Sequence, residues 1–257
     1  MTASLLRVAG LTKRFGGLVA VDQASFDVAP GEIVSVIGPN GAGKTTLFNL
    51  ICRLYSADAG SVDFDGKNLL AYRADQLAGI GISRTFQNLA LFEHGTVVEN
   101  MLVGMHSRLK SGVLAGAFYW GPCQNEEIEA RKEVERIIEF LEIEEIRSQP
   151  VSMLSYGLRK RVELGRALGT QPRLLMLDEM VSGMNQEETE DIARFILDLR
   201  DEFGIAVLMI EHDMNVVMDI SDKVYVLNFG VPIASGTPAE VSSNPAVIDA
   251  YLGKSAA

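Results

Sequence analysis

The segment Gly38-Pro39-Asn40-Gly41-Ala42-Gly43-Lys44-Thr45 sets the narrowest limits on what this chain can fold into. It satisfies G-x-x-x-x-G-K-[ST] at every fixed position. Before it, Glu32-Ile33-Val34-Ser35-Val36-Ile37 is an apolar, β-branched run that reads as a buried strand. After it, Thr46-Leu47-Phe48-Asn49-Leu50-Ile51 reads as the opening turns of a helix. Strand, glycine loop and helix, in that order, make a phosphate cradle. The glycines let the backbone bend so that successive N–H groups point inward at phosphate oxygens. The helix N-terminus adds the positive end of its dipole. In such a loop Lys44 reaches the β- and γ-phosphates, the Thr45 hydroxyl meets Mg²⁺, and Thr46 continues the lining.

The chain has 257 residues, enough for one large domain or a domain with a small lobe. Hydrophobic residues make up 47% of it, which supports a sizeable core. No apolar stretch approaches the roughly 20 residues of a membrane span. Met1-Thr2-Ala3-Ser4-Leu5-Leu6-Arg7 has neither the basic start nor the apolar run of a secretory signal, which predicts a cytosolic chain. Cys52 and Cys123 have no metal-ligand spacing and read as ordinary thiols. The net charge of −11 argues against broad nucleic-acid binding and against adhesion to anionic lipid. Any link to a membrane would then run through a protein partner.

The first segments, Leu5–Val8 and Val19–Val28, alternate and predict antiparallel strands. A strand and turn follow at Ser61–Gly66. From Thr96 to about Arg147 the pattern is largely helical, with Val134, Ile137, Ile138 and Leu141 forming one apolar stripe. The glutamates around that stripe predict a solvated face. Residues 107–125 hold an apolar, aromatic patch with Trp120, which reads equally as a hairpin packed on its own domain or as a partner contact. From Arg173 the α/β rhythm returns. Leu174–Leu177 and Ile205–Ile210 read as buried strands, Thr189–Phe203 as a helix, and 223–234 as a hairpin around Phe229-Gly230.

Chemistry clusters at the strand ends. Asp178 closes one apolar strand, where a carboxylate can hold Mg²⁺ through water. Glu179 follows it and can accept a proton from a water attacking the γ-phosphate. His212 follows the other buried strand. His94 and His106 have no comparable setting and read as structural.

Together these features resemble the ATP-binding cassette (ABC) ATPases. Leu154-Ser155-Tyr156-Gly157-Leu158 with its following helix resembles the family signature. Gln87 stands at the place of the Q-loop glutamine, His212 at the switch histidine, Phe15 at the adenine-stacking aromatic, and Ser182-Gly183-Met184-Asn185 at the D-loop. The resemblance implies an α/β P-loop fold with a mostly parallel core sheet, an N-terminal antiparallel β subdomain and a helical subdomain. It implies one domain over 1–257, with the RecA-like core and β subdomain at about 1–95 and 165–257 and the helical part at about 96–164. It also implies ATP and Mg²⁺, with Thr45, Gln87 and Asp178 near the metal, and Glu179, His212 and Lys44 in catalysis. Ser155 and the Gly157 backbone would complete the nucleotide site of a facing subunit.

A narrower likeness is to the LivG-like, branched-chain amino-acid transport branch. It rests on Arg14–Val21, Arg84–Asn88, Ile210–Met214 and the tail Gly236–Gly253. That branch implies an importer subunit, peripheral on the inner face of the cell membrane. Its partners would be a second ATPase (LivF-like or a second copy) in a head-to-tail dimer, two permeases, and indirectly a solute-binding protein. It implies no nucleic-acid partner and no direct lipid anchor. Leu158 stands where many relatives carry glutamine, and Met180 and Gln186 where many carry proline. The competing readings are a soluble ABC ATPase acting on a protein scaffold and a lipopolysaccharide-export type. The transported solute is not written in an ATPase chain, because permeases and binding protein choose it.

Overall fold

Alternating apolar and polar residues can bury only one face of a strand. In the computed structural model, which describes residues 4–85, 91–105 and 122–252, the first two strands do this. β1 (Leu6–Phe15) and β2 (Leu18–Val28) pair antiparallel, from Leu6 opposite Val28 to Phe15 opposite Leu18. Leu6, Val8 and Leu11 on β1, and Val21, Ala24, Phe26 and Val28 on β2, are buried. β3 (Ile33–Ile37) belongs to a second sheet, while β4 (Ala59–Phe64) and β5 (Lys67–Asn68) extend the first in the order β2-β1-β4-β5.

Chain contacts divide the protein into two compact units: Met1–Leu77 with Arg173–Ala257, and Ala78–Pro172. The first unit holds the antiparallel sheet and most of the second. There β7 (Leu174–Asp178), β8 (Ala206–Ile210), β9 (Lys223–Asn228) and β10 (Val231–Gly236) join β3 in the order β10-β9-β3-β8-β7. β3 runs parallel to β8 and β9, and β7 runs parallel to β8. Every residue of β3, β7 and β8 is buried, the mark of parallel strands covered on both faces. β9 and β10 close the sheet as an antiparallel hairpin. The Tyr225 ring packs on Phe26 at 4.8 Å, and its hydroxyl accepts the Ser25 N–H at 3.0 Å, fastening one sheet to the other.

The helix Gln186–Asp201 starts three residues before the sequence expectation. Asn185 and Glu188 form a reciprocal cap that sets its first turn. Its buried face, Ile192, Phe195, Ile196 and Leu199, follows the 3.6-residue period.

The second unit contains β6 (Ile82–Arg84) and helices Val97–Met105, Pro122–Phe140 and Tyr156–Leu168. Val134, Ile137, Ile138 and Leu141 are all buried, as their spacing predicts. A Cβ at Gly165 would run into Met101, Leu141 and Ile137, so glycine lets these helices approach closely. The glutamates face solvent and make exposed pairs, Glu127 with Arg131, Glu129 with Lys132 and Glu133 with Arg136. Residues 107–121 of the aromatic insert, with Trp120, and His106 lie outside the described residues. Among the described residues no helix is long and apolar enough to cross a membrane.

Candidate active site

β3 ends at Ile37, and the loop from Gly38 turns into α1 (Lys44–Ile51). Gly43 caps that helix in the left-handed conformation, φ 99°, and supplies no side-chain cap. A Cβ there would strike the Ala20 carbonyl oxygen, and one at Gly38 would strike that of Leu227. Glycine is therefore demanded by the neighbouring strands as well as by the turn. The loop is tied down at Ala42: its N–H reaches the Pro39 carbonyl at 3.0 Å, and its carbonyl accepts the Gly230 N–H at 2.9 Å. The first N–H groups of a helix have no acceptor within it, so α1 presents donors toward the loop. Its first turn carries no acidic residue that would compete for them. Lys44 is buried, and its Nζ donates to the carbonyls of Gly38 at 2.6 Å and Pro39 at 3.2 Å. The loop's own carbonyls thus hold the ammonium inside the cradle.

A cavity of about 380 Å³ opens on this loop. Asn40–Thr46, Phe15, Glu179 and Phe229 line it, together with the start of β2. Phe15 is 44% exposed and meets Tyr55 edge-on at 5.4 Å. The Lys13 ammonium lies 5.4 Å from the Phe15 ring centre. Asp58 fixes this end of β1, accepting the Arg14 N–H at 2.6 Å and the Lys13 ammonium at 3.1 Å. Those donors hold its carboxyl below the usual range. Tyr55 and Phe229 were not foreseen as neighbours of the site. Phe229 reads in sequence only as a turn residue, yet its 69% exposure beside the loop puts an aromatic face on the cavity.

The parallel strands deliver the acids. Ile210 of β8 stands level with Val36 of β3 on one side and Asp178 of β7 on the other. Three strands therefore end side by side, and their carboxyl ends face the loop, where open α/β sheets bind ligands. Asp178 is buried at the end of β7. Glu179 leaves the strand with φ 50°, a left-handed posture uncommon outside glycine, and its N–H donates to the Ile210 carbonyl at 2.9 Å. That turn brings Glu179 into the same cavity as Lys44 and Thr45. His212 lies exposed just beyond β8 and is not part of the cavity lining. The next residue, Asp213, caps the helix Met214–Ile220.

Ser155 and Gly157 lie in the other compact unit. Ser155 is the exposed N-cap of helix Tyr156–Leu168, and its Oγ accepts the Leu158 N–H at 3.3 Å. Arg159 braces the preceding turn through the carbonyls of Leu154 and Ser152. Gly157 is buried in the first turn. Gln87 lies outside the described residues. Cys52 is buried, its sulfur 3.5 Å from that of Met176.

Comparison with known proteins gives one answer. The ABC transporter family model matches residues 21–182, and a model for branched-chain amino acid ATP-binding cassette transporters matches 231–257. The chain is 43% identical over 254 residues to the high-affinity branched-chain amino acid transport ATP-binding protein BraF of Pseudomonas aeruginosa, covering 99% of this chain and 100% of the relative. It is 42% identical over 254 residues to the corresponding protein LivG of Escherichia coli K12, with the same coverage. A crystal structure of the ADP conformation of an ATP-binding cassette of an ABC transporter superposes with TM-score 0.86 at 35% identity, covering 98% of this chain and 100% of that one. A nucleotide-free ATP-binding cassette from an ABC transporter gives 0.84 at 34% identity, covering 97% and 99%. With the phosphate loop, the strand-end acids and the cavity that Glu179 shares with Lys44, these likenesses place the chain in the ABC transporter ATP-binding cassette family, in its LivG-like branch.

Proposed function

We propose that this chain is the ATP-binding and ATP-hydrolysing subunit of an importer for branched-chain amino acids or related small solutes. The observation that carries the chemistry is the single cavity shared by Lys44, Thr45 and Glu179. The solute class comes from the relatives' names, since this chain has no task in choosing the solute.

The donors suit Mg²⁺. The Thr45 hydroxyl and the Asp178 carboxylate are hard oxygen ligands. Among the described residues no group of three or more His, Cys, Asp or Glu offers a full protein cage. That sparse set matches a cation that keeps waters and takes its remaining ligands from substrate phosphates. Thr45, Asp178 and Gln87 would hold it, and when bound it supplies positive charge to the β- and γ-phosphate oxygens.

The protein's own groups do the rest. Phe15 offers a flat face to adenine. The N–H groups from Asn40 to Thr46 receive the phosphates, and Lys44 exchanges its bonds to Gly38 and Pro39 for phosphate oxygens. Glu179 takes the proton of the attacking water. His212 contacts the γ-phosphate and steadies the water when the site closes. Ser155 and the Gly157 backbone of a second ATPase subunit complete the site, so that two nucleotides lie between two chains. Closure on ATP and reopening after hydrolysis would drive two permease subunits, with the chain held at the inner face of the membrane through them.

Substituting Glu179→Gln tests this reading. ATP binding should be kept while hydrolysis falls about 10²- to 10⁴-fold, the range for a lost general base. Hydrolysis at the wild-type rate contradicts the assignment. Co-purification with permeases supports the transport role, and co-purification with a soluble scaffold opposes it.

A further inference from the structure

Glu179 holds a conformation that needs support. Its φ is 50°. A residue with a Cβ is strained there and stays only when its surroundings over-determine it. The bond from the Glu179 N–H to Ile210 fixes the near side. On the far side, the Val181 N–H donates to Glu211 Oε1 at 3.1 Å. Glu211 follows Ile210 directly and precedes His212. The segment leaving Glu179 is thus held to the end of β8 at both ends of a short turn, by a carbonyl and then by a carboxylate.

Glu211 is a costly way to fill that space. It is 2% exposed, and Oε2 has no hydrogen-bond partner among the described residues. Burial pushes its carboxyl up to about 7, against the pull of the Val181 N–H, the nearby His212 and the N–H groups of Met180 and His212. An apolar side chain of similar length would occupy the site without that desolvation. What it would lack is the acceptor for the Val181 N–H.

We infer that Glu211 is a positioning residue, which clamps the turn after β7 through Val181 and thereby keeps Glu179 in its left-handed posture toward the cavity. The inference rests on the ATPase reading above. It gives Glu211 no contact with nucleotide. Its action is confined to the geometry of Glu179, so it affects turnover and leaves ATP binding alone.

The test uses the full chain and compares Glu211→Met, which keeps length and loses the acceptor, with Glu211→Gln, which keeps an acceptor oxygen. Steady-state ATP hydrolysis should fall about 10- to 100-fold in kcat for Glu211→Met, the scale of a displaced catalytic group, with KM for ATP within about twofold of wild type. Glu211→Gln should stay within about threefold of wild type in both constants. Wild-type kcat in Glu211→Met, an equal loss in Glu211→Gln, or a rise in KM that accounts for the loss would each overturn the inference. Hydrogen exchange at the Val181 amide gives a second readout that does not need the methionine variant to fold. Protection equal to wild type in Glu211→Gln with intact hydrolysis is expected; lost protection with intact hydrolysis overturns the inference. Glu179→Gln in the same assay separates the two ideas. If it is inactive while Glu211→Met is fully active, only the positioning role fails. If it hydrolyses ATP normally, the ATPase reading itself fails.

Discussion

The two compact units contribute unequal shares of chemistry. Met1–Leu77 with Arg173–Ala257 gathers a lysine loop, an acid and an aromatic around one cavity. Ala78–Pro172 carries Ser155 and Gly157 at a helix N-terminus, with no phosphate loop of its own. The first is built to grip a nucleotide by itself. The second holds Ser155 and the Gly157 backbone, which the proposed function assigns to the nucleotide site of a second subunit. This asymmetry is the physical basis for proposing a head-to-tail pair.

The units also differ in how they bury acids. Glu163, in the signature helix, lies 3.5 Å from Lys160, and both side chains are at most 1% exposed. Glu211, in the first unit, rests on backbone N–H groups, with no lysine or arginine against it among the described residues. The first arrangement offsets desolvation with a counter-charge. The second leaves most of it uncompensated, as expected for a group kept for position.

Variants can break this comparison. The largest stability effect should come from Lys160→Met, which removes the buried ammonium 3.5 Å from Glu163 and should destabilise the chain by about 3–5 kcal/mol in denaturant unfolding. A loss below about 1 kcal/mol, the level of an exposed pair, would show that the pair is not effectively buried. Next is the proton linkage of Glu211. Its folded pKa of about 7 lies above the ordinary 4.5, so the native state binds the extra proton. Its stabilising contribution is complete below pH 4.5 and is lost as pH rises through 7. Relative to Glu211→Gln, the wild type should therefore lose about 3 kcal/mol between those limits. Parallel unfolding curves at pH 5 and pH 8 would contradict this. Last is Ser155→Arg. It should lower hydrolysis about 10²-fold, the scale of one lost phosphate donor, without changing ATP affinity of the isolated chain. Weakened ATP binding in the isolated chain would mean that Ser155 serves its own nucleotide, and the contrast between the units would dissolve.

Much of this molecule could be read before folding because its signals are local. Ile33–Ile37, Leu174–Asp178 and Ala206–Ile210 are continuous apolar runs, and they fold into buried parallel strands. The stripe of Val134, Ile137, Ile138 and Leu141 needs only the helical period to be recognised. The early start of the helix at Gln186 was also legible, in the Asn185 and Glu188 cap, though apolar periodicity alone places it later. The site is different. Lys44, Asp178 and Glu179 can be named from motif and strand end, but the sharing of one cavity by Lys44 and Glu179 depends on β3, β8 and β7 ending level. Tyr55 and Phe229 reach Phe15 and the cavity from a loop and a hairpin turn, with no periodicity to announce them. Glu211 reads as the residue before a histidine. Its role depends on a hydrogen bond spanning 30 positions of sequence.

The central claim is that one cavity binds ATP through Lys44 and cleaves it with Glu179. Equilibrium ATP binding and steady-state hydrolysis, measured together on Lys44→Ala and Glu179→Gln, test it most directly. The account predicts that Lys44→Ala loses both, and that Glu179→Gln binds ATP as the wild type does while hydrolysing it about 10²- to 10⁴-fold more slowly. Undiminished ATP binding by Lys44→Ala, or undiminished hydrolysis by Glu179→Gln, would contradict it.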